Sequence, residues 1–396
     1  MTLKILKIIS ISFLLIILNS CIVIRESSFN QDRYLGKKIE NPVGIYSNKS
    51  QKNSFLPIMD FYPHGNVRGV ITKLMLVEFK NHPEYYMIEL QEVTDGDSIG
   101  MEALIYGHNN ELIDIYYTNH LVLNIKGYES LLNKVTIQKT DFEANLALSS
   151  NGLSASLSLK DKNGKAIELE IKENKKVKPA KGILAPIGNV SKNPDKFSFI
   201  FLKGIIFIKQ KGTEFSLKID GKDFAMAKIP LLFDYEKVYN AKYSFDNVMI
   251  DWNSNIDGVI NVKKIDNNQI IVPHETWNYC IKRNNDFIEI DSITTTVNNK
   301  KFVLHFSPPI PDLACLKDET LLEGKFAVQI DNITAIVGGN YKVKTENNTV
   351  LFDMQFEKGW QPMPGKLWLK DYKWTLALKQ NDGKYNIKTY WINMKN

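Results

Sequence analysis

His64 and His82 each stand beside a proline, in Pro63-His64-Gly65 and His82-Pro83, and His274 lies between Pro273 and Glu275. Histidines so placed mark loops or strand starts, where a general acid or base is often presented; a solvated or capping imidazole fits the same placement. Glu289 and Asp291 share one strand face about 7 Å apart, a spacing that suits an acid/base pair or a plain water-facing surface. Asp95-Gly96-Asp97 opens like a calcium loop, but Ile99 and Met101 occupy the next ligand positions, so a turn is expected. Trp360-Gln-Pro-Met-Pro-Gly-Lys-Leu-Trp368, with Tyr372 and Trp374 beyond it, is rich in aromatics held by proline. Such tryptophans stack on sugars, line an apolar mouth, or fill a barrel end as core. Trp277 and Tyr279, spaced to share a strand face, join Trp360 and Trp368 as candidate ligand-binding aromatics.

Recognisable motifs for other chemistries are absent. The sequence has no G-x-x-x-x-G-K-[ST], no G-x-G-x-x-G, no H-E-x-x-H, no C-x-x-C and no G-x-S-x-G. Its six histidines (64, 82, 108, 120, 274 and 305) are dispersed. No cofactor, metal site or catalytic set is therefore expected, and a metal would need long-range assembly. The formal charge is +6, yet only four of the 50 basic residues are arginine (Arg25, Arg33, Arg68, Arg283). The guanidinium fork is the usual reader of phosphate and guanine, so no nucleic-acid partner is expected. The densest basic run, Lys172 to Lys181, contains Pro179 and reads as a loop.

The amino terminus carries the most specific pattern. Lys4 and Lys7 precede an apolar run from Ile8 to Leu18, which ends in Leu18-Asn19-Ser20-Cys21. As a helix that run is far too short for the roughly 30 Å of bilayer hydrocarbon, but it fits the core of a secretory signal. Leu18, small Ser20 and Cys21 resemble the lipobox of bacterial lipoproteins, with Asn19 departing from the commonest residue there. The resemblance covers 21 residues and implies cleavage before Cys21, diacylation of its sulfur and acylation of the new amino terminus. Two or three acyl chains anchor stably where one is marginal. Ile22 after the cysteine implies the outer membrane in a Gram-negative cell; in a Gram-positive cell the place is the outer face of the cell membrane. Residues 22 to about 40 read as a tether, reaching roughly 25 Å as a random coil. Export also leaves Cys280 and Cys315 as an even pair, with a disulfide and two free thiols both open to them.

The rest of the chain reads as antiparallel β-structure. A two-residue turn at Asn284-Asn285 sets Ile281 opposite Ile288, Tyr279 opposite Ile290 and Cys280 opposite Glu289, the last pair on a water-facing side. Asn347-Asn348 aligns Val343 with Phe352, Tyr341 with Met354 and Lys342 with Asp353. Asp382-Gly383 aligns Leu378 with Ile387 and Trp374 with Trp391, and Asn109-Asn110 aligns Tyr106 with Ile113 and Leu104 with Ile115. At Lys162-Asn163-Gly164 a three-residue loop with left-handed Gly164 sets Leu159 against Ile167. Phe197–Ile208 is apolar on both faces and reads as a central strand pair bent at Gly204. Only Glu129–Val135 and Leu231–Val238 suggest a turn or two of helix.

The expected architecture is all-β: two tandem barrel or sandwich modules, with a signal peptide at 1–20, a lipidated tether at 21–40 and domains at 41–232 and 233–396. All six tryptophans (252, 277, 360, 368, 374, 391) fall in the second domain. In organisation alone, tandem modules of this size resemble the double lipocalin-like proteins related to carotenoid hydratases. The expected function is a membrane-anchored, non-catalytic binding module for an apolar small molecule, a lipid or a glycan. The alternatives are a β-barrel hydratase, isomerase or glycan-active enzyme, and a subunit of an envelope assembly.

Overall fold

The computed structural model describes residues 34–37, 39–47, 54–63, 70–95, 98–108, 112–118, 121, 135–149, 152–174, 183–186, 194–203, 206–233, 236–265, 271–274, 277–297, 299–330, 333–359, 370–381 and 384–394. Their named elements are strands and two 3-10 turns, Val43–Ile45 and Leu313–Cys315, so the chain is all-β. Of the strand pairs whose register is described, Leu112–Tyr117 with Thr136–Lys139 is parallel and the others are antiparallel.

Two compact units share the chain by turns. One comprises 65–181 and 202–247 and the other 26–64, 182–201 and 248–396, so the units interleave instead of meeting once at 232/233. The reason lies in strand pairing. Phe197–Lys203 neighbours Asp246–Trp252, which pairs with Phe61–Pro63, and three distant stretches of chain are needed to complete that one sheet.

In the first unit an eight-stranded sheet runs in the order Ile206–Lys209, Glu236–Ser244, Val70–Glu78, Tyr85–Asp95, Ser98–Gly107, Leu112–Tyr117 and Thr136–Lys139, with Lys228–Phe233 also on Glu236–Ser244. A five-stranded sheet holds Lys222–Asp223, Thr213–Ile219, Ala166–Glu173, Gly152–Lys160 and Glu143–Ser149. Alternate residues of both, such as Val77, Ile88 and Ile105 with Leu157, Leu169 and Leu217, form one core. The bulged hairpin is as expected: Leu159 opposes Ile167, and Gly164 has φ +79°. Leu104 opposes Ile115, but a register shift sets Tyr106 against Leu112. Around Leu231–Val238 the chain forms a strand hairpin, Lys228–Phe233 on Glu236–Ser244, and not helix. Residues 129–134 lie outside the described set, as do the turns Asn109-Asn110 and Asp382-Gly383.

In the second unit a ten-stranded antiparallel sheet runs Asp257–Ile260, Lys384–Asn393, Tyr372–Asn381, Thr349–Lys358, Ile333–Glu346, Leu321–Ile330, Lys300–Ile310, Phe287–Val297, Trp277–Asn284 and Ile271–His274. Its inner face packs on the smaller sheet of Ile183–Pro186, Phe197–Lys203, Asp246–Trp252 and Phe61–Pro63. Trp252, Trp374 and Trp391 are fully buried there, with Trp252 edge-on to Trp391 at 5.7 Å. Phe197–Ile208 is therefore not one strand pair. Phe197–Lys203 belongs to this small sheet and Ile206–Lys209 to the eight-stranded one, each with a separate core to fill.

The registers set by Asn347-Asn348 and by the loop after Asn381 match expectation, including Lys342 with Asp353 and Trp374 with Trp391. The hairpin near Trp277 differs. Its turn is Asn285-Asp286, with φ +54° at Asn285, so Ile281 opposes Ile290 and Lys282 opposes Glu289. A shift beyond Ile281 then sets Tyr279 against Ile293 and Cys280 against Ser292.

Candidate functional site

Of the sequence candidates, Cys21, His64, Trp360 and Trp368 lie outside the described residues, and nothing is described of the His274 side chain. Tyr279 is core: it is 1% exposed, edge-on to Phe55, and its hydroxyl donates to the Met59 carbonyl. Burial pushes its phenol well above the ordinary range. Trp277 is half-buried and packs against the same core. Cys280 and Cys315 form no disulfide, so of the two states open to them the structure takes the unbonded one. Among the described residues no three His, Cys, Asp or Glu side chains are grouped to hold a metal ion.

His82 is a capping imidazole. Its Nδ1 accepts backbone N–H groups from Tyr85 at 2.9 Å and Glu84 at 3.2 Å, and its ring stacks on Tyr85 at 4.7 Å. Burial lowers its pKa, which keeps that nitrogen free to accept. Asp95 pairs with Ser98 across a hairpin end, as a turn requires.

Glu289 overturns its expected exposure, for none of its surface reaches solvent. The face it occupies is covered by residues 39–47, which run across the second unit as a strap. Tyr46 donates its hydroxyl to Glu289 Oε1, and Asn284 Nδ2 donates to the same oxygen at 2.9 Å and to the Asn41 carbonyl at 2.8 Å. The strap is also tied to the 3-10 turn after the Lys300–Ile310 strand: Ser47 N donates to the Cys315 carbonyl and Lys317 N to the Ile45 carbonyl. Asp312 accepts from Ala314 N at the start of that turn, and burial raises its carboxyl to about 6. This polar cluster is closed to solvent and fastens the strap. Asp291 is half-buried on the same strand.

The open site lies on the outer face of the ten-stranded sheet, in a groove of about 600 Å³. Its wall is Leu35 and Gly36, just ahead of the strap, and Ile39, the strap's first residue. Tyr34 and Leu35 seat that wall on Ala327, and Gly338 makes room: a Cβ there would sit 2.8 Å from the Tyr34 ring. Lys358 Nζ lies 4.7 Å from the centre of the Tyr34 ring.

The groove floor is polar because the odd and even residues of these strands face opposite sides. One cross-strand row holds Ser307, Lys325, Asn340, Gln355 and Lys373, each directly opposite the next. At about 4.8 Å per strand the row is roughly 19 Å long. Beside it Glu323 pairs with Lys342 at 3.0 Å, and Asp353 pairs with Lys373 at 2.9 Å while accepting the Thr375 hydroxyl. The sequence reading held part of this surface in the Lys342–Asp353 register but did not single out Ser307, Lys325, Asn340 or Gln355. Their only local signal is outward position on alternating strands; their assembly depends on the order of five strands.

Among the described residues no helix is long and apolar enough to cross a membrane. No protein-family model matches the chain, and no curated protein matches it. Among solved structures, kievitone hydratase from Nectria haematococca aligns over 90% of this chain and 97% of that one, at 8% identity and a TM-score of 0.21, too low to carry an argument about fold or activity.

Proposed function

We propose that this chain is an exported, lipid-anchored binding protein, held at a membrane through Cys21, and that the groove on its ten-stranded sheet takes an extended polar ligand of the glycan class. The observation that carries the reading is the row Ser307, Lys325, Asn340, Gln355 and Lys373. Hydroxyl, ammonium and carboxamide groups at regular spacing match a chain of sugar rings, whose hydroxyls both donate and accept. The row is long enough for several consecutive rings.

Two further features favour glycan binding, one against an apolar ligand and one against catalysis. The described candidate aromatics line no apolar pocket: Tyr279 is buried in the core and half-buried Trp277 packs against it. The groove's two acids, Glu323 and Asp353, are each committed to a lysine, which suits binding better than proton transfer.

The test is isothermal titration of the detergent-solubilised full chain with extended oligosaccharides of several linkages, beside palmitate and retinol. Saturable binding of an oligosaccharide, weakened in Asn340→Ala and Gln355→Ala, is the expected result. Retention of palmitate or retinol with no oligosaccharide bound would overturn it.

A further inference from the structure

The charges in the groove do not cancel. Three lysines (325, 342 and 373) face two acids (Glu323 and Asp353), and both acids are already paired with Lys342 and Lys373. Lys325, exposed in the middle of the floor, pairs with no acid among the described residues. Directly across from it stands Ser307, which is 6% exposed and whose buried Oγ has no hydrogen-bond partner. Buried hydroxyls are nearly always satisfied, so this one calls for an explanation. Asn340, on the other side of Lys325, adds an amide donor. An ammonium, a hydroxyl and an amide on three neighbouring strands thus converge within about 10 Å.

We propose that the glycan bound in this groove is acidic, and that Lys325, with Ser307 and Asn340 beside it, seats the anionic substituent of one sugar residue. This rests on the glycan reading and adds the ligand's charge class. A uronate carboxylate and a sulfate ester share the required chemistry, since each presents several acceptor oxygens to charge-assisted donors. The wall of Leu35 and Ile39 gives the ring carrying the charge an apolar side to lie against.

The experiment titrates the full chain in detergent with an oligogalacturonate, a sulfated oligosaccharide and a neutral oligosaccharide of similar length, at low and at high salt. The acidic ligands are expected to bind at least about tenfold more tightly than the neutral one at low salt, an advantage that salt removes. Lys325→Gln should weaken the acidic ligands far more than the neutral one and so erase the advantage, Lys325→Arg should retain it, and Ser307→Ala should weaken acidic binding more than neutral binding. Preference for the uronate over the sulfated ligand, or the reverse, identifies the substituent. Equal affinity for acidic and neutral ligands, or an acidic preference that survives Lys325→Gln, would overturn the inference while leaving the glycan reading intact. Failure of every oligosaccharide to bind would overturn both. Lys325 is exposed, so its replacement leaves the core untouched, and unchanged tryptophan emission confirms that in each variant.

Discussion

The Tyr46 hydroxyl donates to the Glu289 carboxylate across 243 residues of sequence, and its ring stacks on Phe287 at 4.1 Å. Burial and that hydrogen bond both hold the phenol protonated, so it remains a donor over the whole working range of pH. Tyr46→Phe keeps the stacking and removes the donor. Glu289 would then keep Asn284 as its donor, at a cost of about 1–3 kcal/mol. Because all six tryptophans belong to the second unit, urea unfolding followed by their emission reads this unit by itself. In a Glu289→Gln background the same substitution should cost less, since the charge to be satisfied is gone. An equal cost in both backgrounds would show that the hydroxyl does not act through Glu289.

Asp312 gives the second unit a defined pH dependence. Its carboxyl rises from 3.8 to about 6, through burial first and the nearby Glu289 charge last, against opposing hydrogen bonds from Cys315 and from backbone N–H groups. A raised carboxyl pKa means the folded form binds the proton more tightly than the unfolded form. The stabilisation is complete below about pH 4 and is lost as pH rises to about 6, an effect of about 3 kcal/mol. Asp312→Asn keeps an oxygen for Ala314 N and cannot titrate. Between pH 4 and pH 6.5 the wild type should lose stability relative to this variant; parallel stability curves would contradict the assignment.

The hairpins show what local sequence can and cannot determine. At Asn347-Asn348 both residues have positive φ, +52° and +59°, the requirement of a two-residue type I′ turn, and the register followed from that alone. Gly164 acted likewise. In Arg283-Asn284-Asn285-Asp286 two asparagines compete for the left-handed position; Asn285 takes it, which moves the turn by one residue and each cross-strand partner by two. The burial of Glu289 was illegible for another reason. Alternation predicts a wet outer face, but residues 39–47 arrive from the far end of the sequence to cover it. The groove was equally hidden, since Ser307 and Lys373 meet in one row only through the pairing of five strands.

Gly338 makes room for Tyr34, the seat of the groove wall. Gly338→Ala would bring a methyl group to 2.8 Å from the Tyr34 ring and 2.5 Å from the Phe326 carbonyl. Because the Phe326 oxygen is backbone, the easier response is displacement of Tyr34, with a cost of about 1–3 kcal/mol. Burial and the nearby Glu357 charge hold the Tyr34 phenol at about 12, and release should return it towards 10. The variant should therefore lose the Leu35 and Ile39 wall and bind glycan more weakly, while trypsin cuts faster at Lys37. Unchanged cleavage and unchanged binding would show that the seat tolerates the methyl group.

Anchoring and binding should separate cleanly. Residues 22–33 lie between Cys21 and Tyr34, where the chain is already fixed on Ala327 and Gly338. Among the described residues no groove residue precedes Leu35. Cys21→Ala should therefore remove the acyl label and release the protein from membranes, yet leave oligosaccharide affinity and the urea midpoint of the second unit unchanged. Membrane fractionation with radiolabelled palmitate, followed by titration of the released protein, checks both halves. Continued membrane association without acyl label would overturn anchoring through Cys21. Loss of glycan binding in the released protein would instead mean that the bilayer contributes to the ligand's seat, which the path of the chain from Tyr34 onward argues against.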